Sequence, residues 1–183
     1  MKYVCTGLFV LALAVPSAQA QMAQGPQTIS LANGLQRSYD GIKRNLTEMA
    51  EGMAEGDYTF MPTPGVRTFG QLIGHAANAQ FGACAAARGM ANPNQGNDNE
   101  KKASKAEFVK ALADSYAFCD EAYKSLTDAN ATEMMKQGQN SVARGSILAN
   151  LIAHSNEVYG TAIPYYRLKG KVPPSTERAT RKP

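Results

Sequence analysis

Residues 151–160 read Leu151-Ile152-Ala153-His154-Ser155-Asn156-Glu157-Val158-Tyr159-Gly160, and their spacing decides the fold class. Taken with Ile147 before them and Ala162 and Tyr165 after, Leu151, His154 and Val158 recur every three or four positions. That is the repeat of one face of an α-helix, not the two-residue alternation of a strand. One of only two histidines in the chain, His154, sits on this apolar stripe. Pro164 lies inside the same helix, where it cannot donate a backbone hydrogen bond and its ring crowds the carbonyl of Gly160, so a kink is expected there. Gly170 and Pro173-Pro174 then end the helix.

Three more helical segments emerge upstream. In the first, Leu31, Leu35, Tyr39, Ile42, Leu46, Met49 and Met53 form one face, closed by Gly56-Asp57, Pro62 and Pro64. The second opens at Thr68 with Gln71 in capping-box position. It carries Phe69, Leu72, Ile73, Ala76, Gln80, Cys84 and Ala87 inward and ends near Gly89. Asn92 to Lys102 is a polar, Asn-rich connection without periodicity. The third helix opens at Ser104 with Glu107 in capping-box position and shows the stripe Phe108, Leu112, Tyr116, Cys119, Tyr123 and Leu126. A second polar loop is expected from about Asp128 to Arg144. No strand-like alternation of convincing length occurs, so the chain reads as all-α, most simply a four-helix bundle.

The cysteines bear on topology. Cys84 and Cys119 lie at nearly the same depth in successive helices. Parallel helices would therefore bring them level, whereas antiparallel packing would part them by roughly 15 Å, beyond disulfide reach. A parallel pair needs a crossover of about 30 Å, which Gly89 to Ala103 can span at ~3.3 Å per extended residue. A disulfide is the natural reading in an oxidising compartment; two buried thiols acting as small hydrophobes are the alternative. A disulfide and an up-down-down-up bundle with a kinked last helix support one another.

At 183 residues the chain holds one domain able to bury its own core. Met1-Lys2, the apolar run Gly7 to Val15 and the small-residue site Ala18-Gln19-Ala20 form an export signal over residues 1–20. Cys5 lies within that run and not at its end, so it is not read as a lipoprotein cysteine. The expected organisation is this signal peptide, a bundle over 21–174 and a basic flexible tail over 175–183, in a periplasmic or secreted protein. No segment is long enough to span a bilayer. The formal charge is +4, and much of the excess sits in the tail at Arg178, Arg181 and Lys182, read as a solvated end. Nothing resembles a nucleic-acid module.

His75, aligned with Leu72 and Ala79, is expected on the interior side of the second helix, and His154 on that of the fourth. Two imidazoles in one bundle core can bind a divalent metal; two hydrogen-bonded core histidines are the other reading. Tyr159, Tyr165 and Tyr166 are expected to bury their rings, and Arg167 to pair with an anion or a neighbouring carboxylate. Ser-His-Asp order, a phosphate-cradling glycine loop and a zinc-type cysteine pair are all absent from the sequence.

Three stretches carry a family resemblance. They are Asp57-Tyr58-Thr59-Phe60-Met61-Pro62-Thr63-Pro64, then Arg67-Thr68-Phe69-Gly70-Gln71-Leu72-Ile73-Gly74-His75, and Ala153-His154 through Gly160 to Tyr165-Tyr166-Arg167-Leu168-Lys169-Gly170-Lys171-Val172-Pro173-Pro174. In order and spacing the chain resembles the DinB-like (DinB/YfiT) superfamily. That resemblance implies an up-down-down-up bundle, often a homodimer, with a metal held by one histidine of the second helix and an H-x-x-x-H pair of the fourth. It also implies thiol transfer or related metal-assisted reactions on small molecules. His75 and His154 match the first two ligand positions, and Val158 stands at the third. Glu157 is the nearest substitute, since i and i+3 share a helix face. His75, His154 and Glu157 would then form a set for zinc, nickel or iron. Two expectations follow: a bundle with a partly degenerate metal pocket and no assigned reaction, or a metal-dependent enzyme of the thiol-transferase or hydrolase type using those three residues.

Overall fold

Capping chemistry fixes where the helices begin. The computed structural model describes residue 26 and residues 28–181, so the expected signal peptide and Lys182 lie outside the described residues. Helix α1 spans Leu31–Gly52, with the Ser30 hydroxyl accepting from the Asn33 N–H. Helix α2, Phe69–Arg88, opens on the full Thr68–Gln71 capping box and closes on Gly89 at a left-handed φ of 64°. Helix α3, Lys105–Lys124, opens on the Ser104–Glu107 capping box. Helix α4 runs Arg144–Leu168, unbroken through Pro164, and a short α5 follows at Pro174–Thr180.

Side-chain contacts fix the helix directions. Along α2 and α3 the pairs rise together: a Cβ on Gly70 would collide with the Phe108 ring, and Cys84 is bridged to Cys119 with Cα atoms 5.3 Å apart. These helices are therefore parallel. Helices α1 and α3 pair in reverse, Tyr39 donating to Asp120 at 2.8 Å while Lys105 reaches the Met53 carbonyl at 2.8 Å. Helices α2 and α4 also run oppositely, with Gln80 donating to Ser155 at 3.0 Å and Tyr165 to the Arg67 carbonyl at 2.8 Å. Gly52 leaves room for the Tyr166 phenol where α1 and α4 cross.

The core is aromatic at one end. Tyr39 stacks on Tyr123 with ring centres 3.9 Å apart and meets Tyr116 edge-on at 6.0 Å. All three rings are buried, where each covers a large apolar area. The first turn of α1 departs from its sequence stripe. Leu31 is 60% exposed, while the next residue, Ala32, is buried and donates its N–H to Asp128 at 2.7 Å.

Three expectations need correction. The segment 128–144, read as a polar loop, contains an antiparallel hairpin, β1 Met134–Gln137 with β2 Asn140–Ala143, paired Met135↔Val142 and turned at Gly138 with φ 60°. Four-residue strands are too short to register as alternation. Tertiary packing holds them, since Met135 and Val142 rest on the core. Helix α4 is not the last helix. Residues 174–180, assigned mostly to a flexible tail, form α5, whose Arg178 pairs with Glu48 and Asn45 on α1. Ser175 in turn is bonded to the Tyr159 hydroxyl at 3.0 Å. Pro174 at the first helical turn has no N–H to waste there, and the basic residue finds a carboxylate that sequence spacing does not reveal.

Candidate functional site

His75 and His154 converge from antiparallel helices, their ring centres 5.0 Å apart and their planes at 69°. Neither lies in the core, which corrects the sequence expectation: both are half-buried along the outer groove between α2 and α4. One position beyond His154, Ser155 is buried against Gln80. The helical stripe at 154 therefore sits at the rim of the buried arc, where one residue's rotation separates core from groove.

A third element completes the cluster. Glu100, from a 3-10 turn at Asn99–Lys101, lies with Oε1 2.8 Å from His75 Nδ1 and Oε2 2.8 Å from Arg67 Nε. Burial opposes ionisation of Glu100, but the hydrogen bonds from Arg67 and His75 outweigh it and hold its carboxyl below the usual range. An ionised carboxylate only accepts, so Nδ1 of His75 donates, and in the neutral imidazole the lone pair is then on Nε2. Arg67 is shifted upward by the same Glu100 hydrogen bond. His154 is shifted downward, first by burial and then by the neighbouring His75.

Sequence reasoning missed Glu100, which lies in the stretch read as an unpatterned connection. Asn78 clamps that stretch: its Oδ1 accepts from the Asn99 N–H at 3.1 Å and from the Asn94 side-chain amide at 3.1 Å, and its amide donates to Asp98 at 2.9 Å. Gly74 lets the turn approach, since a Cβ there would overlap the Asn99 carbonyl. The nearest sequence signal was Gly74 one residue before His75.

The metal set implied by the resemblance can be tested on these donors. Two imidazoles sharing a tetrahedral ion at ~2.1 Å bonds would place their ring centres roughly 5 Å apart, which His75 and His154 match. The carboxylate on Nδ1 of His75 is the orienting partner that metal-ligating histidines use. The third position differs. Val158 is 3% exposed and packs in the core. The Glu157 carboxylate is 78% exposed and comes within 3.9 Å of His154 Nδ1. Among the described residues no group of three His, Cys, Asp or Glu side chains is placed to hold a metal ion. The chain thus brings two imidazole rings together and leaves the Glu157 side chain exposed beside them.

Beside the cluster lies an open cleft of about 660 Å³, lined by Pro62, Val66, Arg67, Leu72, Pro164 and Tyr165 among others, with Glu100 at its inner side. That volume suits a small organic ligand. Tyr159 and Tyr166 are buried, as expected of their rings, and Tyr159 spends its hydroxyl on Ser175.

The family model of the DinB superfamily matches residues 39–162, a span that includes both histidines. Among solved structures, a DinB-like protein from Bacillus cereus ATCC 10987 superposes with a TM-score of 0.64 at 16% identity, covering 77% of this chain and 94% of that one. A conserved protein from Enterococcus faecalis gives 0.62 at 16% identity, with 77% and 98% covered. A DinB-like protein from Bacillus subtilis gives 0.62 at 16% identity, with 76% and 94% covered. At that identity the structures speak to fold alone. No curated protein sequence matches the chain.

Proposed function

The chain belongs to the DinB superfamily, and we propose that it is an exported binding bundle that takes a divalent transition metal at His75 and His154. The observation that carries this is the 5.0 Å approach of the two rings with His75 tethered through Nδ1 to Glu100. Two protein ligands make a weak site with several open positions, so a small ligand in the adjoining cleft would complete it. Export is part of the reading: the leader over residues 1–20 and the Cys84–Cys119 bridge both support an oxidising compartment.

The residues divide the work. Glu100 holds His75 in the tautomer that presents Nε2, and Arg67 braces Glu100 from its other oxygen. The downward shift of His154 keeps that imidazole neutral, and so able to donate a lone pair, over a wider pH range. A bound metal would supply Lewis-acid polarisation of a ligand oxygen. Elemental analysis and calorimetry with zinc and nickel, on mature protein without a histidine tag, test the reading beside His75→Ala and His154→Ala. Saturable binding lost in both variants is expected; equal binding by wild type and variants would defeat it.

Val158 favours a second reading. Its burial seals the place of a third ligand with hydrocarbon, as expected of a cleft that binds small molecules without metal. Recruitment of Glu157 into a catalytic set requires the carboxylate to turn inward from its exposed position.

A further inference from the structure

We infer that the cleft beside α2 and α4 is a subsite for a small carboxylate carried on an apolar body, with Arg67 as its anchor. The inference takes its location from the site proposed above and none of its energy from a metal. Arginine presents two hydrogen-bonding edges, and one is spent here: Nε donates to Glu100 at 2.8 Å. The other edge, Nη1 and Nη2, has no hydrogen-bond partner among the described residues, and the side chain is 46% exposed on the cleft wall. A guanidinium edge of that kind matches a carboxylate bidentately.

The anchor is held in advance. Glu100 fixes the guanidinium, and Tyr165 donates to the Arg67 carbonyl at 2.8 Å, so little ordering remains to be done on binding. Each Glu100 oxygen already accepts one hydrogen bond, from Arg67 or from His75, so its charge is partly matched within the protein. Apart from Gln71 and Thr161, the remaining side-chain walls are Pro62, Val66, Leu72, Pro164 and Tyr165. They favour an apolar body over a polyhydroxylated one. A free carboxylic acid of small size, aromatic or branched, combines both requirements.

The test uses benzoate and its uncharged isostere benzamide on the folded protein in excess chelator, followed by backbone amide shifts. Benzoate is expected to saturate with shifts at Val66, Leu72 and Tyr165, and benzamide to bind roughly tenfold more weakly or worse. Arg67→Gln should bring benzoate down to the benzamide level. Val66→Glu places a like charge on the wall, where it repels benzoate and competes for the free Arg67 edge, while Arg67 and Glu100 themselves stay unsubstituted. It should produce the same loss, so the inference stays testable if Arg67→Gln disturbs the fold. Absence of saturable shifts, equal affinity for the two probes, or undiminished benzoate binding in Val66→Glu would overturn it. His154→Ala separates the two proposals, because it should abolish zinc binding while retaining benzoate. A wild type that ignores zinc but selects benzoate would sink the metal reading alone.

Discussion

Nδ1 of His75 lies 2.8 Å from Oε1 of Glu100 although 25 residues separate them in the chain. The bond joins α2 to the turn that follows it and leaves Nε2 as the His75 ring nitrogen not engaged by Glu100. It also places Arg67 at the cleft, since the second Glu100 oxygen is bonded there. One carboxylate thereby holds the imidazole of His75 and the guanidinium of Arg67 together.

Glu100→Gln removes the charge but keeps the shape. Loss of the orienting carboxylate should weaken zinc or nickel binding by roughly tenfold to a hundredfold. Calorimetry on the folded variant checks it, and unchanged affinity would remove Glu100 from the site.

Val158→His adds the missing imidazole one turn from His154. Affinity for zinc should rise by more than roughly tenfold, equivalent to ~1.4 kcal/mol or more. The melting temperature of the metal-free variant should fall, because Val158 is a core position and a buried imidazole loses water contacts. A variant that folds yet gains no affinity would mean the position does not converge with the histidine pair.

Gly74→Ala probes how the turn is seated. The added methyl meets the Asn99 backbone, which cannot move without displacing Glu100. Overpacking of this kind costs about 1–3 kcal/mol, so the urea midpoint should drop. The ring resonances of His75 should also move, whereas Gly82→Ala, mid-helix with open space around it, should leave those resonances in place and raise the midpoint modestly.

Severing the Cys84–Cys119 bridge releases a separation of 35 residues. Loop entropy assigns such a closure about 4 kcal/mol. Urea unfolding of Cys84→Ala/Cys119→Ala should show a loss of that order. Thiol labelling of the unfolded wild type should require prior reduction.

The buried tyrosines set an alkaline limit. Burial raises Tyr39, Tyr116 and Tyr123 well above the ordinary value of 10.0, and the Asp120 carboxylate adds to the shift of Tyr39. Groups raised on folding stabilise the native state below the unfolded value and lose that contribution as pH rises past it. Stability should therefore fall above about pH 10. Absorbance titration should show these three phenols ionising only with unfolding. Smooth ionisation of all eight tyrosines in a still-folded chain would contradict the packing.

The mainly helical class, both capping boxes, the Gly89 terminus and the parallel placement of the cysteines were legible in the sequence. Each rests on spacing within one helix or on depth along two helices. The hairpin was not legible, because its strands are held by Met135 and Val142 against the core and not by their own pattern. Nor was the docking of α5, which depends on Arg178 meeting Glu48 across the molecule.

The site divides along the same line. The sequence by itself named His75, His154 and the valine at position 158, since residue identity and helical period are local facts. Only the tertiary structure decided that the histidines meet at a half-buried groove, that the Glu157 side chain stays exposed beside them, and that Glu100 and Arg67 belong with them. The reason is physical: a helix's period fixes a side chain's angle on its own axis. Which neighbour covers that angle depends on how other helices and turns are packed around it.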